Sequence, residues 1–271
     1  MSKIWNMVDG KGGKSGEFFY FSADRKFVLK TINSEEYNFL RSHLHDFYEH
    51  FRSNPHSLIA KIYGLFLLEG EQVEKTYRLI LMKNITGCAK EQIKRVYDLK
   101  GSKYDREVAP SEVSDNELRE LTLKDIDFQK LEHNQLRVSA KAAQQLKEQL
   151  RRDSEFLRKL NLIDYSLLIV KVQWQEQPAD PEFWSELQRL PSESEERLFY
   201  HIGVIDYLQL WDLKKRGENW WKKYFRRQAD ISAVSPAKYS SRFVKFVNMI
   251  CGGEATEDDM ALSRTSANYD K

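Results

Sequence analysis

The sequence has very little cysteine and no long apolar run. Only Cys88 and Cys251 occur among its 271 residues, which excludes a disulfide framework, and no CxxC spacing points to zinc. No apolar run approaches the roughly 20 residues that span a bilayer, and the first residues do not form a signal peptide. We therefore expect a cytoplasmic protein that reaches a membrane only as a peripheral one.

The charge is almost balanced, with a formal net charge of +2. Apolar residues make up 41% and aromatic residues 13% of the chain, which suffices for a sizeable core in one large domain or in two lobes. The balance hides one strongly basic stretch. Residues 214–227, called here the basic segment, contain seven Lys or Arg and one Glu.

The basic segment has the pattern of a helix that lies in a membrane interface. Trp220 and Trp221 precede Tyr224 and Phe225 by one helical turn, with the basic residues on the other side. Each basic group near an anionic bilayer contributes about 1 kcal/mol. One alternative is a surface helix whose aromatic residues enter the core. A third interpretation is nucleic-acid binding. The rest of the chain is net acidic, which argues against a wide phosphate-binding surface.

A glycine-rich stretch, residues 10–16, opens the chain. It fails as a P-loop because the required first glycine falls at Val8. Residues 17–22 follow and favour a strand, and a glycine-rich turn before a strand is typical of the kinase loop that covers nucleotide phosphates. A plain hairpin turn has the same pattern.

Lys30 is the one basic residue within an apolar stretch, residues 27–32, that reads as a strand. Such a lysine can reach nucleotide phosphates when a carboxylate from the next helix holds it. Glu35 and Glu36 are suitably placed in a helix predicted to run to about Phe51. The alternative is an edge-strand lysine that faces solvent.

The middle of the chain alternates regular and irregular stretches. Residues 77–82 read as a strand, with residues 83–84 as a connection between lobes. Residues 139–160 form a predicted amphipathic helix. Residues 105–121 read as a polar loop, and residues 174–198, rich in proline and acidic residues, as an exposed insertion.

Three aspartates stand at the ends of apolar stretches. Asp164 opens one predicted strand and Asp206 follows another, so the two lie near each other at a cleft if these strands pair. A carboxylate at the end of a buried strand suits a metal ion. Asp98 and Lys100, two apart on a strand, face the same side and form either a phosphate site or a solvated ion pair.

Short motifs occur in one order along residues 10–250: Gly13-Lys-Ser-Gly16, Val28-Leu-Lys30-Thr, Asn54-Pro55, Tyr63-Gly64-Leu65, Asp98-Leu-Lys100-Gly-Ser102, Thr122-Leu-Lys-Asp-Ile-Asp127, Asp164-Tyr-Ser-Leu-Leu168, Val204-Ile-Asp206, Ser232-Ala-Val-Ser-Pro236 and Tyr239-Ser-Ser-Arg242-Phe243. With them the chain resembles the phosphatidylinositol phosphate kinases, most closely the type I phosphatidylinositol 4-phosphate 5-kinases. Asp-Leu-Lys-Gly-Ser and Asp-Tyr-Ser-Leu-Leu together are highly specific.

The resemblance implies an α+β, two-lobed kinase-like fold with antiparallel sheets and flanking helices. The N-lobe would comprise residues 1–83 and the C-lobe residues 84–250, with an activation segment at 207–236 and a disordered tail at 251–271. It also implies ATP and Mg²⁺ as cofactors, and transfer of the γ-phosphoryl group to an inositol hydroxyl at a membrane surface.

Site residues follow from the same resemblance. Asp164, Lys100 and Asp98 would be catalytic, and Asp206 would bind magnesium. The nucleotide would be held by Gly13, Ser15, Gly16, Lys30, Glu36 and Met82. The lipid and the membrane would be contacted by Lys214, Lys215, Arg216, Glu218, Trp220, Trp221, Lys222 and Lys223.

The lipid preference rests on one residue. Counting without gaps from Asp206 and from Pro236, Glu218 falls where the resemblance places the residue that separates kinases of the 4-phosphate from kinases of the 5-phosphate, which carry alanine there. A frame shifted by one residue would place Gly217 at that position and remove the argument. The expected product is therefore phosphatidylinositol 4,5-bisphosphate. The alternatives are a kinase that prefers the 5-phosphate and a non-catalytic phosphoinositide-binding module.

A protein kinase is excluded by the absence of His-Arg-Asp, Asp-Phe-Gly and Ala-Pro-Glu from the sequence. The expected partners are a phosphatidylinositol phosphate and an anionic membrane, and no nucleic acid. The oligomeric state stays open.

Overall fold

The computed structural model describes residues 5–8, 18–70, 76–110, 113–174, 183–211 and 235–252, the first of these ranges as backbone only. The strands in this part of the chain are β1 (Trp5–Val8), β2 (Phe19–Ser22), β3 (Phe27–Thr31), β4 (Ile62–Leu68), β5 (Tyr77–Lys83), β6 (Ile93–Leu99), β7 (Thr122–Leu123), β8 (Leu162–Ile163), β9 (Ser166–Gln173), β10 (Arg189–Pro191), β11 (Leu198–Ile205) and β12 (Gln209–Leu210). The helices are α1 (Ser34–Ser53), α2 (Asp115–Glu120), α3 (Asp125–Glu132), α4 (Ala140–Lys159) and α5 (Pro236–Ile250).

The first sheet has the order β1-β2-β3-β5-β4, and each neighbouring pair is antiparallel. Helix α1 follows β3 and begins where Asn33 and Glu36 form a capping box, which satisfies backbone N–H groups of the first turn. Leu40 and Phe47 are its buried residues. The helix ends at Ser53, with Asn54 as its C-cap, so it runs two residues past the predicted end near Phe51 and stops before Asn54 and Pro55 as predicted.

The second sheet has the order β10-β11-β9-β6-β7, antiparallel except for the short parallel pair of β6 and β7. Helix α4 packs against α5 and β8 and begins at the N-cap Ser139, whose hydroxyl accepts a hydrogen bond from Ala142 N. Leu146, Leu150 and Leu157 recur at helical spacing and are fully buried. The predicted amphipathic helix is confirmed.

The two sheets are joined by main-chain hydrogen bonds. Ile59, before β4, forms a parallel bridge with Val204 in β11. Ala60 N donates to Val204 O at 2.9 Å, and Val204 N donates to Leu58 O at 2.7 Å. Gly203 allows this close approach, because a Cβ there would lie 2.6 Å from the side chain of Ile85. The junction fixes the end of β11 against the first sheet.

The predicted α+β class with antiparallel sheets is confirmed, and two local predictions are wrong. The predicted loop 105–121 contains α2, because Ser114 and Glu117 form a capping box. The predicted exposed insertion 174–198 is partly core: Leu187 and Leu190 are buried, and β10 pairs with β11. The proline and acidic residues of this stretch led to the prediction of a loop, although it also contains apolar residues that enter the core. Among the described residues, no helix combines the length and the apolar character that crossing a bilayer requires.

Candidate active site

Two aspartates lie at the same edge of the second sheet. Strands β9 and β11 pair antiparallel, with Ser166 opposite Ile205. Asp164 lies two residues before β9 and Asp206 directly follows β11, so the predicted pairing that brings them to one edge is confirmed. Both have a left-handed backbone, with φ of 64° and 53°. Aspartate tolerates this conformation better than most residues, and such outliers cluster at functional sites.

Each of these aspartates pairs with a lysine from another element. Lys30 Nζ in β3 lies 3.3 Å from Asp206 Oδ1, and Lys100 Nζ, after β6, lies 2.9 Å from Asp164 Oδ1. Both carboxylate side chains are 53% exposed, whereas the lysine side chains are only 13% and 19% exposed. The lysines are therefore held in place, while the carboxylates keep surface for further ligands.

The structure changes two predicted pairings. Lys30, expected beside Glu36, forms its ion pair with Asp206, and Glu36 Oε2 accepts a hydrogen bond from Asn33 N at 3.0 Å. Of the two alternatives for Asp98 and Lys100, the ion pair between them does not form, because β6 ends at Leu99 and the chain turns there, and the phosphate site stays a prediction. Met82 lies on β5 directly opposite Val28 in β3.

Asp98 instead accepts a hydrogen bond from Arg106 Nη2 at 2.8 Å. The same guanidinium donates through Nε to Asp125 Oδ2 at 2.7 Å. Asp98 is thus tied into a buried network beside the turn that carries Lys100.

Asp125 holds the turn that carries Lys100. This buried carboxylate accepts hydrogen bonds from three consecutive backbone N–H groups, those of Lys100, Gly101 and Ser102, at 3.1, 2.8 and 3.3 Å to Oδ1. Gly101 has φ of +65°, and a Cβ there would lie 2.8 Å from Phe246 of α5. The turn is therefore fixed from both sides. In the sequence Asp125 stood out only as part of a motif, because its partners lie 19 to 25 residues away.

The position of Asp164 is fixed through the hydrogen bonds of its neighbour Tyr165. The hydroxyl of this fully buried tyrosine lies 2.7 Å from Ser154 Oγ in α4, which in turn lies 2.8 Å from Ser240 Oγ in α5. Tyr239 of α5 donates its hydroxyl hydrogen to the backbone oxygen of Tyr165. Burial raises the pKa of Tyr165 to about 12, so the ring stays protonated and hydrogen-bonded.

Asp206 is supported by Tyr207, whose fully buried hydroxyl donates to Ala60 O at 2.7 Å. Ala60 belongs to the junction between the sheets. That junction is tied to α4, because Asp153 Oδ2 accepts a hydrogen bond from Leu58 N at 2.7 Å. A chain of short contacts thus connects α4 to the residue that follows β11.

A cavity of about 990 Å³ lies between the Lys100 turn and α5. Four basic side chains line it: Lys103, Lys238, Arg242 and Lys245. Its apolar contribution comes from Phe246 and the partly exposed Met249. The Arg242 guanidinium stacks on the Tyr239 ring, and its Nε is buried without a hydrogen-bond partner. The cavity therefore suits a molecule with an anionic head and an apolar part.

The carboxylates fit a magnesium ion that shares its ligands with a nucleotide. Mg²⁺ keeps several waters and is usually bound by one or two carboxylates together with substrate phosphates. In the parts of the chain that the structure describes, no three His, Cys, Asp or Glu side chains are grouped as a metal site. A half-exposed carboxylate such as Asp206 matches the shared type of site rather than a closed protein cage.

Several predicted site residues lie outside the described residues. They are Gly13, Ser15 and Gly16 of the glycine-rich stretch, and Lys214, Lys215, Arg216, Glu218, Trp220, Trp221, Lys222 and Lys223 of the basic segment. Their predicted roles stay predictions.

Comparison with known proteins relates almost the whole chain to one family. The family model described as Phosphatidylinositol-4-phosphate 5-Kinase matches residues 2–189 and 173–250.

Individual relatives agree with this match. A probable phosphatidylinositol phosphate kinase of Dictyostelium discoideum is 29% identical over 306 residues, which covers 88% of this chain and 41% of that protein. Phosphatidylinositol 4-phosphate 5-kinase type-1 beta of Mus musculus is 28% identical over 278 residues, covering 87% and 50%. Phosphatidylinositol 4-phosphate 5-kinase-like protein 1 of Homo sapiens is 30% identical over 261 residues, covering 86% and 64%. The chain spans about half the length of such relatives.

Proposed function

The chain belongs to the phosphatidylinositol-4-phosphate 5-kinase family, as its motifs indicate, and on that premise we propose that it transfers the γ-phosphoryl group of ATP to the 5-hydroxyl of phosphatidylinositol 4-phosphate. The observation that carries the proposal is the pair of half-exposed carboxylates, Asp164 and Asp206, each held beside a lysine at one sheet edge. Phosphoryl transfer needs mainly positioning and neutralisation of charge, which such groups provide.

Each residue then has a distinct part in the reaction. Lys30 binds the ATP phosphates, and Asp206 provides the protein ligand for magnesium. Magnesium, when bound, neutralises charge on the phosphates during transfer. Asp164 orients the inositol hydroxyl and accepts its proton, and Lys100 neutralises charge on the transferring group. Each lysine exchanges its carboxylate partner for phosphate oxygens when substrates bind.

The large cavity beside the Lys100 turn provides the site for the lipid headgroup. Its four positively charged side chains attract the negatively charged inositol phosphate. Phe246 and Met249 contact the part of the acyl chains nearest the headgroup. The cavity lies next to Gly101 and Ser102, so a headgroup bound there is close to Lys100 and Asp164. The basic segment contributes attraction to the anionic membrane.

The test is a radiolabelled ATP assay on vesicles that contain each monophosphorylated phosphatidylinositol in turn. We expect most label in the 4-phosphate lipid, and a shift toward the 5-phosphate lipid for Glu218→Ala.

A second experiment measures vesicle binding. The double variant Trp220→Ala, Trp221→Ala should bind vesicles more weakly. Salt should weaken wild-type binding, because exposed charges are screened over about 8 Å at physiological ionic strength. Vesicle binding without phosphoryl transfer would support a non-catalytic module instead. A wild-type preference for the 5-phosphate lipid would refute the specificity.

A further inference from the structure

A second cavity, of about 400 Å³, lies behind the connection between the sheets. Its walls come from the end of α1 and the following loop, from the start of β4, from the last residue of β5, and from residues 183–188. The lining residues are Phe51, Asn54, Pro55, His56, Ser57, Ile59, Lys61, Tyr63, Lys83, Phe183, Trp184, Ser185 and Gln188. Three of these are basic types and none is Asp or Glu. The volume is within the usual range for small-molecule sites.

Lys83 is a buried cation without an anionic partner among the described residues. Its Nζ donates to two neutral acceptors, the backbone oxygen of Phe183 and Gln188 Oε1, the latter at 2.7 Å. The Nζ also lies 4.2 Å and 4.8 Å from the ring centroids of Phe183 and Trp184. Burial, with repulsion from Lys61, lowers the pKa of Lys83 to about 8. Burying a charge in this way is costly unless an anion compensates for it.

Two further residues with donor groups line the same cavity. Lys61 lines the cavity and makes no ion pair with a carboxylate in the described part of the chain. Ser185 also lines it, and its Oγ is buried without a hydrogen-bond partner. A buried hydroxyl without a hydrogen-bond partner in the protein is usually satisfied by a ligand or an ordered water.

This cavity lies on the face of the first sheet opposite the candidate active site. Phe27 and Lys83 are paired across β3 and β5, and the Phe27 ring lies 5.1 Å from that of Tyr63 and 6.1 Å from that of Phe183. Lys30 follows Phe27 by three positions on the same strand, so the two side chains point to opposite faces. A ligand here would leave the Lys30 side free for ATP.

We propose that this cavity is a binding site for a small phosphate-bearing anion, held by Lys61, Lys83 and Ser185. The anion provides the missing counter-charge for the two lysines, and its oxygens accept from the Ser185 hydroxyl. The aromatic rings of Phe183 and Trp184 form an apolar wall that strengthens these contacts by excluding water. The ligand is soluble rather than a lipid headgroup, because the site is a small cavity away from the basic cavity at α5. The inference does not depend on the proposed function.

The test is calorimetric titration of the full chain with inorganic phosphate and with sulfate, with ADP and magnesium present at saturation to occupy the nucleotide site. We expect one anion per chain. Lys61→Gln and Lys83→Gln should each weaken binding about tenfold or more, as expected for loss of a charge-assisted hydrogen bond. Lys90→Gln is the matched control, because this exposed lysine pairs with Glu120 far from the cavity.

Sulfate provides a second readout, since its charge is constant near neutral pH. Its affinity should fall as pH rises through 8, where Lys83 loses its proton, and binding near pH 8 should take up protons. The titratable groups around Lys83 are Lys61 and His56 from the loop before β4, Tyr63 from β4, Lys26 over the Phe183 ring, and His201 behind Trp184. The proton uptake should disappear in Lys83→Gln and persist in Lys90→Gln.

Three outcomes would overturn the proposal. The first is no anion binding by the wild type at millimolar concentration. The second is unchanged binding in Lys61→Gln, a variant of an exposed residue that is expected to fold. The third is binding only to vesicles containing phosphatidate, in a manner that depends on Lys61 and Lys83 but is absent for soluble phosphate. That last result would assign the site to a lipid phosphate.

Discussion

Two groups of aspartates in this protein are built in opposite ways. Asp164 and Asp206 are 53% exposed, each beside one lysine. Asp125 and Asp153 are buried, and each accepts at least four hydrogen bonds. An exposed carboxylate with one partner can exchange it for a metal ion or a substrate at small cost. A buried carboxylate with many donors cannot, because removing it leaves those donors unsatisfied.

The buried group holds the backbone that carries the exposed group. Asp125 fixes the turn of Lys100, the partner of Asp164. Asp153 binds Leu58 N in the segment that bridges to β11 and so to Asp206. Function and support are therefore divided between residues of the same type, and exposure and the number of hydrogen-bond donors distinguish the two roles.

The largest expected effect is the loss of turnover when an exposed aspartate is replaced. Asp206→Asn removes the charge proposed for the metal site and should lower turnover by about 10³-fold or more, with unchanged stability and vesicle binding. The lipid kinase assay and urea unfolding measure the two quantities. Glu120→Gln, which also removes an exposed carboxylate paired with a lysine, is the control and should keep full activity. Substantial turnover by folded Asp206→Asn would contradict the assigned role.

The next largest effect is the loss of folding stability when a buried aspartate is replaced. Asp153→Ala leaves the donors of His50, Ser57, Leu58 and Gln149 without their acceptor. The free energy of unfolding should fall by about 3 kcal/mol, measured by urea denaturation. A loss below about 1 kcal/mol would show that the buried group is no more essential to the fold than an exposed carboxylate.

Asp125→Asn tests the link between the groups. The amide presents an N–H group where the carboxylate accepted, so the turn of Lys100 should shift and kcat should fall about 10²-fold, with KM for ATP nearly constant. Asp127→Asn is the matched control: this carboxylate is equally buried but accepts from Val108, Ala109 and Lys124 N. It should lose similar stability and little kcat. Equal kcat losses in both variants would remove the positioning role of Asp125.

The smallest effect concerns pH. Burial lowers the pKa of His201 to about 4, although a hydrogen bond with Thr86 O opposes the shift. Because the folded pKa is below the unfolded value of about 6.5, stability is complete above pH 6.5 and falls as the pH decreases toward 4.

At pH 5 the loss is about 2 kcal/mol relative to pH 7.5. His201→Gln should reduce this difference by that amount in urea unfolding at the two pH values. A variant with the same pH dependence as the wild type would show that His201 does not account for it.

The accuracy of the sequence predictions differed between elements for physical reasons. Helix α4 was predictable because its cap and its leucines are within a few residues of one another. Helix α2 was missed although Ser114 and Glu117 carry a capping-box pattern, because it is short and polar. The buried residues Leu187 and Leu190 were missed because their partners are on other strands and the nearby composition is acidic.

The sequence by itself determined the family, the α+β class, the main helices and strands, and the position of Asp164 and Asp206 at strand ends. These depend on local periodicity, caps and motifs, which adjacent residues encode. Only the tertiary structure decided the partners: Lys30 with Asp206, Lys100 with Asp164, and Asp125 beneath the Lys100 turn. Lys30 and Asp206 are separated by 176 positions, and a charge has no sequence signal for its partner at that distance. Pairing within the second sheet brings Lys100 to Asp164, whereas Lys30 reaches Asp206 only once the two sheets have packed.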